Sequence, residues 1–532
     1  MTSYSPAEAV EIRAALAKLQ TSEVFAHSQR MLRFLEFVVE AALAGQGERL
    51  NQTAIGIDVF DRGAGFDPTA DSVVRVEAGR LRSKLLEYYV TDGRHDAWKF
   101  EIPKGRYAPE ITFVASREAV DDSAPTRPAP SVRTDEPPAI VVVPFDNLGG
   151  GADIAAFAAG LTEDIMTGLS AYRWCPVIAR HSSLNLKDKA ADLGAMAEQF
   201  GVGYILEGSV RGAGKNLRIN VQFIRADGDT HLWAERYDRQ LGDVFALQDD
   251  VTRRVVTHVA IEFRQAEIDR ALKQDPESLG FWGCVNRAAW HVARGNQDDN
   301  QRAQHFANRA LELKPRSADT LPHLAISHLL ERTYGWSDDP EASLNQALTV
   351  AQQAVANDPR HSESFACLSA CLKELRQHQE SVETAKQAVA LNPFSHHSRL
   401  CLGSALLFAG QPREALEEFR QAMKLSPRSL DRDVMLANMA LAHLVLRDFD
   451  QAVSMARQAV HAKPTVDRSY YRLAAGLAYR DETEAAAKVL ADARALGMEP
   501  SVRYLSILHP FQDPAHFEFI LEGLRKAGWT EA

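Results

Sequence analysis

The sequence predicts a multidomain chain of α and α/β class: a helical head ending in a β-hairpin, a central α/β module and an all-α tail of repeats. Three observations carry that expectation. A basic helix-and-hairpin stretch lies between residues 73 and 107, apolar strand-like runs alternate with helical patterns between 139 and 265, and prolines recur 34 residues apart in the second half. A chain of 532 residues is long enough for several cores. Its net charge of -11 excludes a nucleic-acid coat over the whole surface, so any DNA contact must be local. Five cysteines, Cys175, Cys284, Cys367, Cys371 and Cys401, form no CxxC pair and no zinc spacing, and an odd, scattered set fits a reduced compartment. The amino terminus MTSYSPAEAV lacks a basic-then-apolar leader, and no apolar run approaches the ~20 residues a membrane helix needs. A soluble cytoplasmic chain without a membrane partner is expected.

The head spans 1–114. Ser5, Pro6 and Glu8 give an N-cap, a proline at the first helical position and a capping-box acid. Residues 24–44 form a second helix stopped by Gly45, with Met31, Leu32, Phe34, Leu35, Val38 and Val39 as core. Asp67 and Asp71 suit a turn and an N-cap better than a metal. From Val73 onward, Val76, Leu81, Leu85 and Tyr88/Tyr89 recur at helical spacing, while Arg75, Arg80, Arg82 and Lys84 supply cations and Lys99, Lys104 and Arg106 follow on the hairpin. A basic helix followed by a basic strand pair is the electrostatic outline of a winged-helix DNA reader.

RLRSKL followed by KFEIPKGRYAPEI resembles the recognition helix and wing of the OmpR/PhoB-type effector domain, and AIGIDVF (54–60) is similar to that family's positioning helix. The resemblance implies that Arg75, Glu77, Arg80, Arg82 and Lys84 face the groove or the phosphates and that Lys104, Arg106 and Tyr107 form the wing. Glu77 and the Pro-Lys-Gly-Arg-Tyr wing depart from the family pattern, and a head that works without a phosphoacceptor receiver domain is expected. The bland alternative is a solvated helix face. Glu77, Glu87, Asp92, Asp96 and Glu101 dilute the positive charge and suit a protein-docking head.

Residues 115–138, rich in Pro, Ala, Ser and charge, read as a linker. AIVVVPF opens the α/β module (139–265) as a buried strand. A helix near 160–171, a strand CPVIAR, a helix at 193–200, three strands (YILEGSV, LRINVQFIRA, HLWAERY) and a closing helix from Asp243 follow, with turns at Gly212–Gly214 and Asp227–Asp229. PFDNL, GLTEDI, VIARHSS, YILEGSVR, HLWAERYDR and FALQDDV resemble, in that order, the TolB amino-terminal-like domain. That resemblance implies a non-catalytic sensing or assembly module that travels with nucleotide cyclases in some relatives, although repeats rather than a cyclase-sized segment follow here. Gly149-Gly150-Gly151 lacks the Gly-Lys-Ser/Thr of a phosphate loop. Glu163-Asp164 read as helix-opening carboxylates. His181-Ser182-Ser183 has no orienting acid. Arg180, Glu207, Arg211, Trp233 and Arg236 form a polar surface without an assignable ligand.

From 275 to 532 the repeats take over. Pro359, Pro393 and Pro427 fall 34 apart, with Pro315, Pro464 and Pro500 in looser continuation. Small residues precede them at fixed offsets: Ala303/Ala307/Ala310, Ala347/Ala351/Ala354, Ala415/Phe419/Ala422 and Ala452/Ala456/Ala459. Gly403, Leu406, Ala415, Phe419, Ala422 and Pro427 match the tetratricopeptide pattern, with Arg399 where its first aromatic stands. Five or six repeats and a cap near Trp529 are expected. Cys367 and Cys371 read as buried packing, and His396-His397 as surface.

The function these features predict is a DNA-binding transcriptional regulator: residues 73–107 contact double-stranded DNA, and the repeat groove takes a protein or peptide, with self-association allowed. The alternative is an adaptor or scaffold that does not bind DNA. Neither reading assigns a catalytic residue, cofactor or metal.

Overall fold

The computed structural model describes residues 4–22, 25, 28–45, 50–60, 73–90, 93, 96–103, 106–113, 136–149, 151–178, 202–213, 216–226, 230–240, 243–427, 429 and 431–531. Lys104, Asp67, Asp71, most of the linker, Arg180 to Ser183, the helix expected at 193–200 and the turn at Asp227–Asp229 lie outside them. The chain divides into two compact units, Met1–Arg127 and Pro128–Ala532.

The first unit holds α1 (Pro6–Gln20), α2 (Gln29–Leu43), α3 (Gln52–Asp58), α4 (Val73–Val90), β1 (Trp98–Glu101) and β2 (Glu110–Phe113). Ser5 and Glu8 close the expected capping box on α1, satisfying two amides that a helix start leaves unpaired. Phe34, Leu35, Val38 and Val39 of α2 are fully buried against Leu81 and Leu85 of α4. β1 and β2 pair antiparallel, Trp98 opposite Phe113 and Glu101 opposite Glu110.

The second unit opens with β3 (Ala139–Val142), β4 (Asp146–Asn147) and α5 (Ala152–Ser170). Three long strands follow, β5 (Val202–Ala213), β6 (Asn216–Arg225) and β7 (Thr230–Gln240), and then α6 (Val244–Lys273). β3 and β4 run parallel to β5, and β5, β6 and β7 form an antiparallel meander. Alternation along β6 turns Leu217, Ile219, Val221 and Phe223 towards one face, where α5 and α6 pack. Of the expected strand CPVIAR, Val177 makes an isolated parallel bridge to Ile140. Because α5 starts at Ala152, Glu163 and Asp164 stand in mid-helix rather than at its opening. Asp164 accepts from Gln248 of α6, so its role is to tie two helices.

The boundary drawn between 265 and 275 falls within α6, a 30-residue helix that joins the sheet to the repeats. Its buried Glu267 accepts from the Tyr204 hydroxyl of β5 (2.6 Å) and from the indole N–H of Trp282 in the first repeat helix (2.7 Å). A buried carboxylate with two donors is an expensive contact to break, which couples the two segments.

Twelve helices, α7 to α18, then form six antiparallel hairpins: Phe281–Arg294 with Gln297–Leu313, Leu321–Tyr334 with Pro340–Asn357, Ser362–Glu374 with His378–Leu391, His396–Phe408 with Pro412–Leu425, Arg432–Val445 with Phe449–Ala462, and Asp467–Tyr479 with Thr483–Ala495. Pro315, Pro359, Pro393, Pro427 and Pro464 each stand two residues beyond the end of a second helix, where a missing N–H and a fixed φ stop it. The expected alanines and Phe419 are at most 1% exposed. Gly403 lets two helices approach: a Cβ there would lie 2.6 Å from the Phe419 ring. Arg399, in the place of an aromatic, pairs with Glu418 at 2.8 Å. Two further helices, α19 (Val502–Leu508) and α20 (Pro514–Lys526), end the chain.

Candidate functional site

On the head, the basic residues of α4 have separate tasks. Positions 74, 78, 81, 85 and 88 face the core, and Glu77 shares that side, 7% exposed and bound to Arg80 Nη1 at 2.9 Å. Glu77 therefore cannot be a groove reader. Arg82 donates from Nε to the Ile102 carbonyl (2.7 Å), and from Nη2 to those of Pro103 (3.0 Å) and Arg106 (3.4 Å). It fastens the helix to the hairpin instead of presenting a cation to phosphate. Tyr107 is half-buried, its ring 6.5 Å from Phe34, so it packs on the core instead of projecting as a wing tip. Asp96, expected on the outer face, is buried and accepts from the Tyr88 hydroxyl (2.6 Å) and from Lys18. Arg80 and Arg106 are exposed and Lys84 is half-buried, while Arg75 lies in α4.

The repeats carry a second cluster. Ser404, Asn438 and Arg472 occupy equivalent positions, 34 apart, on the first helices of three successive hairpins. Asn438 donates to Ser404 Oγ (3.1 Å), and Arg472 Nη1 donates to Asn438 Oδ1 (3.1 Å). The 34-residue pitch of the ladder is present in the sequence, but which residues meet along it depends on the first helices sharing a face. Arg472 is 1% exposed, and burial, with Arg468 nearby, pushes its guanidinium down to about 9. Its Nε finds no hydrogen-bond partner among the described residues, and neither does Nε of Arg468 one turn earlier.

The α/β module meets the repeats through Tyr172, Arg173 and Trp174. The Tyr172 hydroxyl donates to the Phe394 carbonyl (2.8 Å), Arg173 pairs with Asp358 (3.1 Å), and Trp174 Nε1 donates to Glu363 (3.1 Å). Arg264 stacks on the Trp174 ring at 4.3 Å and lies 4.0 Å from Glu363. Burial opposes ionisation of Glu363, but Arg264 and nearby imidazoles hold its carboxyl down to about 2. His396, expected at the surface, is half-buried and bonds Ser429 at 3.0 Å. Among the described residues no group of three or more His, Cys, Asp or Glu is placed to hold a metal, and no helix is long and apolar enough to cross a membrane.

No family model matches the chain. It is similar to a curated Rhizobium meliloti (strain 1021) protein described as "Putative adenylate cyclase 3": 36% identical over 264 residues, 48% of this chain and 44% of that protein. The chain thus spans less than half the length of the curated relative it matches. Among solved structures it is similar to a thermophilic tetratricopeptide-repeat protein of Thermus thermophilus (20% identity, 37% of this chain, 99% of that one, TM-score 0.31). A repeat protein of Parabacteroides merdae ATCC 43184 (15%, 54% and 98%, TM-score 0.32) and PilF of Pseudomonas aeruginosa (19%, 49% and 99%, TM-score 0.29) are further likenesses. Scores this low add nothing to the geometry read from the chain itself. Its own proline spacing, buried alanines and stacked hairpins make the C-terminal segment a tetratricopeptide-like helical repeat array.

Proposed function

We propose that this chain is a non-enzymatic interaction protein of the cytoplasm, in which the first-helix face of the repeat array binds an extended segment of a partner protein. The Ser404–Asn438–Arg472 ladder carries the proposal, because it sets polar groups at a regular pitch, largely buried, along the first-helix side of the array, the side on which stacked repeats receive ligands. The α/β module, which we take to be TolB amino-terminal-like, serves as a rigid mount clamped by Glu267 and Glu363. The five cysteines without disulfides suit a reducing compartment. Panning a displayed peptide library against the full chain tests the proposal. Selected peptides are expected to slow amide exchange in α13, α15 and α17. Selection of peptides that protect only other segments overturns it.

A second function, DNA binding by a winged-helix head, is favoured by one observation: α4 is followed in the chain by the β1–β2 hairpin, with Arg80 and Arg106 exposed. Binding of duplex DNA by the full chain that weakens steeply with salt supports it, and absence of binding at low salt removes it.

A further inference from the structure

After the sixth hairpin the chain does not extend the stack. α20 packs on the first helices α17 and α15. Gly523 approaches so closely that a Cβ there would lie 2.7 Å from the Tyr479 ring, and Phe519 stacks on the same ring at 4.3 Å. The segment before it crosses the array. The Tyr504 hydroxyl donates to Asp467 of α17 (2.6 Å), Phe511 packs on Phe408 of α13 (5.0 Å), and Leu505, His509 and Phe511 are at most 1% exposed. The array also grips this segment by its backbone. Arg376, after α11, donates to the Phe511 carbonyl (3.0 Å), and the Gln512 amide donates to the Phe408 carbonyl (2.8 Å). Backbone hydrogen bonds beside pockets for aromatic anchors are one way a bound peptide is held.

The fit is incomplete. His509 is fully buried within electrostatic reach of Arg472 and Arg468, and its Nε2, like both arginine Nε atoms, has no hydrogen-bond partner among the described residues. Each buried polar group left unpaired is costly to keep docked. An imidazole near two guanidiniums is a poor electrostatic complement, whereas a carboxylate would suit them.

We propose that Ser501–Asp513 is a built-in, displaceable occupant of the repeat face, and that the partner is a peptide repeating its Tyr504 and Phe511 contacts with an acidic side chain in place of His509. This rests on the interaction function proposed above. The partner binds by exchange: its phenol takes Asp467, its aromatic ring takes Phe408, and its carboxylate takes the arginine pair.

The test uses labelled synthetic peptides of residues 499–515, one with the native sequence and one with His509→Glu. They are titrated into the full chain and into full-length Tyr504→Ala/Phe511→Ala, whose own segment is weakened while the receiving face is unchanged. Tyr504→Phe, which removes a single hydroxyl, serves if the double variant fails to fold. The native peptide is expected to bind the weakened chain at least tenfold more tightly than the wild type, and the His509→Glu peptide at least tenfold more tightly again. Equal affinity for weakened and wild-type chains overturns the proposal, and so does indifference to His509→Glu. If that happens while panned peptides still protect α13 to α17, the interaction function stands and only its cis occupant falls.

Discussion

Replacing Arg82 with alanine should loosen the head from its hairpin. The guanidinium donates to three carbonyls, two of them at 2.7 and 3.0 Å and one, weaker, at 3.4 Å. Hydrogen bonds from charged donors contribute ~1.5–3 kcal/mol each, but Arg82 is only half-buried and water can reach the vacated carbonyls, so about 2–3 kcal/mol in total is a fair discount. At about 1.4 kcal/mol per factor of ten, that is ~30- to 150-fold faster opening. Hydrogen exchange in the full chain measures it: amides of Trp98–Glu101 and Glu110–Phe113 should lose protection by that factor, while those of α13 to α18 serve as an unchanged reference. Arg82→Lys, with no planar fork, should recover little. Protection within twofold of the wild type would refute the assignment of Arg82 to structure and return it to the outer, basic face.

Further outcomes follow from individual contacts. Gly403→Ala puts a methyl group 2.6 Å from the Phe419 ring and should lower the repeat array's calorimetric melting temperature, with overpacking of ~1–3 kcal/mol outweighing a helix-propensity gain of about 1. Trp174→Phe removes a donor from Glu363 and should speed exchange at the start of α11 at least about fivefold, for ~1 kcal/mol or more lost. His509, pushed down to about 3 by burial and by Arg472, is neutral when docked. The undocked imidazole takes up a proton near its ordinary value of ~6.5, so docking is fully stable above that pH and weakens as pH falls towards 3. The protection factors of amides 502–511, corrected for the slower intrinsic exchange at low pH, should therefore fall between pH 7 and pH 5, and His509→Gln should flatten that dependence.

Local signals were the legible ones. Ser5–Glu8 gave the start of α1, proline spacing gave the ends of the second helices, and alternation gave β6, because each depends on residues only a few positions apart. Charges on α4 misled for the opposite reason. Whether Arg82 meets solvent or the Ile102 carbonyl depends on a hairpin 20 residues on, and composition does not carry that information. The span of α6 through the expected boundary, the Trp174–Glu363 contact and the return of residues 501–513 across the array join positions too distant for any periodicity to report. Ser404, Asn438 and Arg472 were accessible at their 34-residue pitch, but only once the first helices were known to share a face.

The claim that the repeat face receives a protein ligand is tested most directly by calorimetric titration of the full chain with a peptide selected against it, wild type beside Asn438→Ala. Asn438 joins the ladder at its centre, bonding both Ser404 and Arg472. Its carboxamide keeps a second N–H and a second lone pair for a ligand, so its loss should weaken binding at least about tenfold, for ~1.4 kcal/mol or more of ligand hydrogen bonding, while exchange in α17 shows the fold intact. Equal affinity for the two chains would mean that the ladder is packing alone and that the ligand site lies elsewhere.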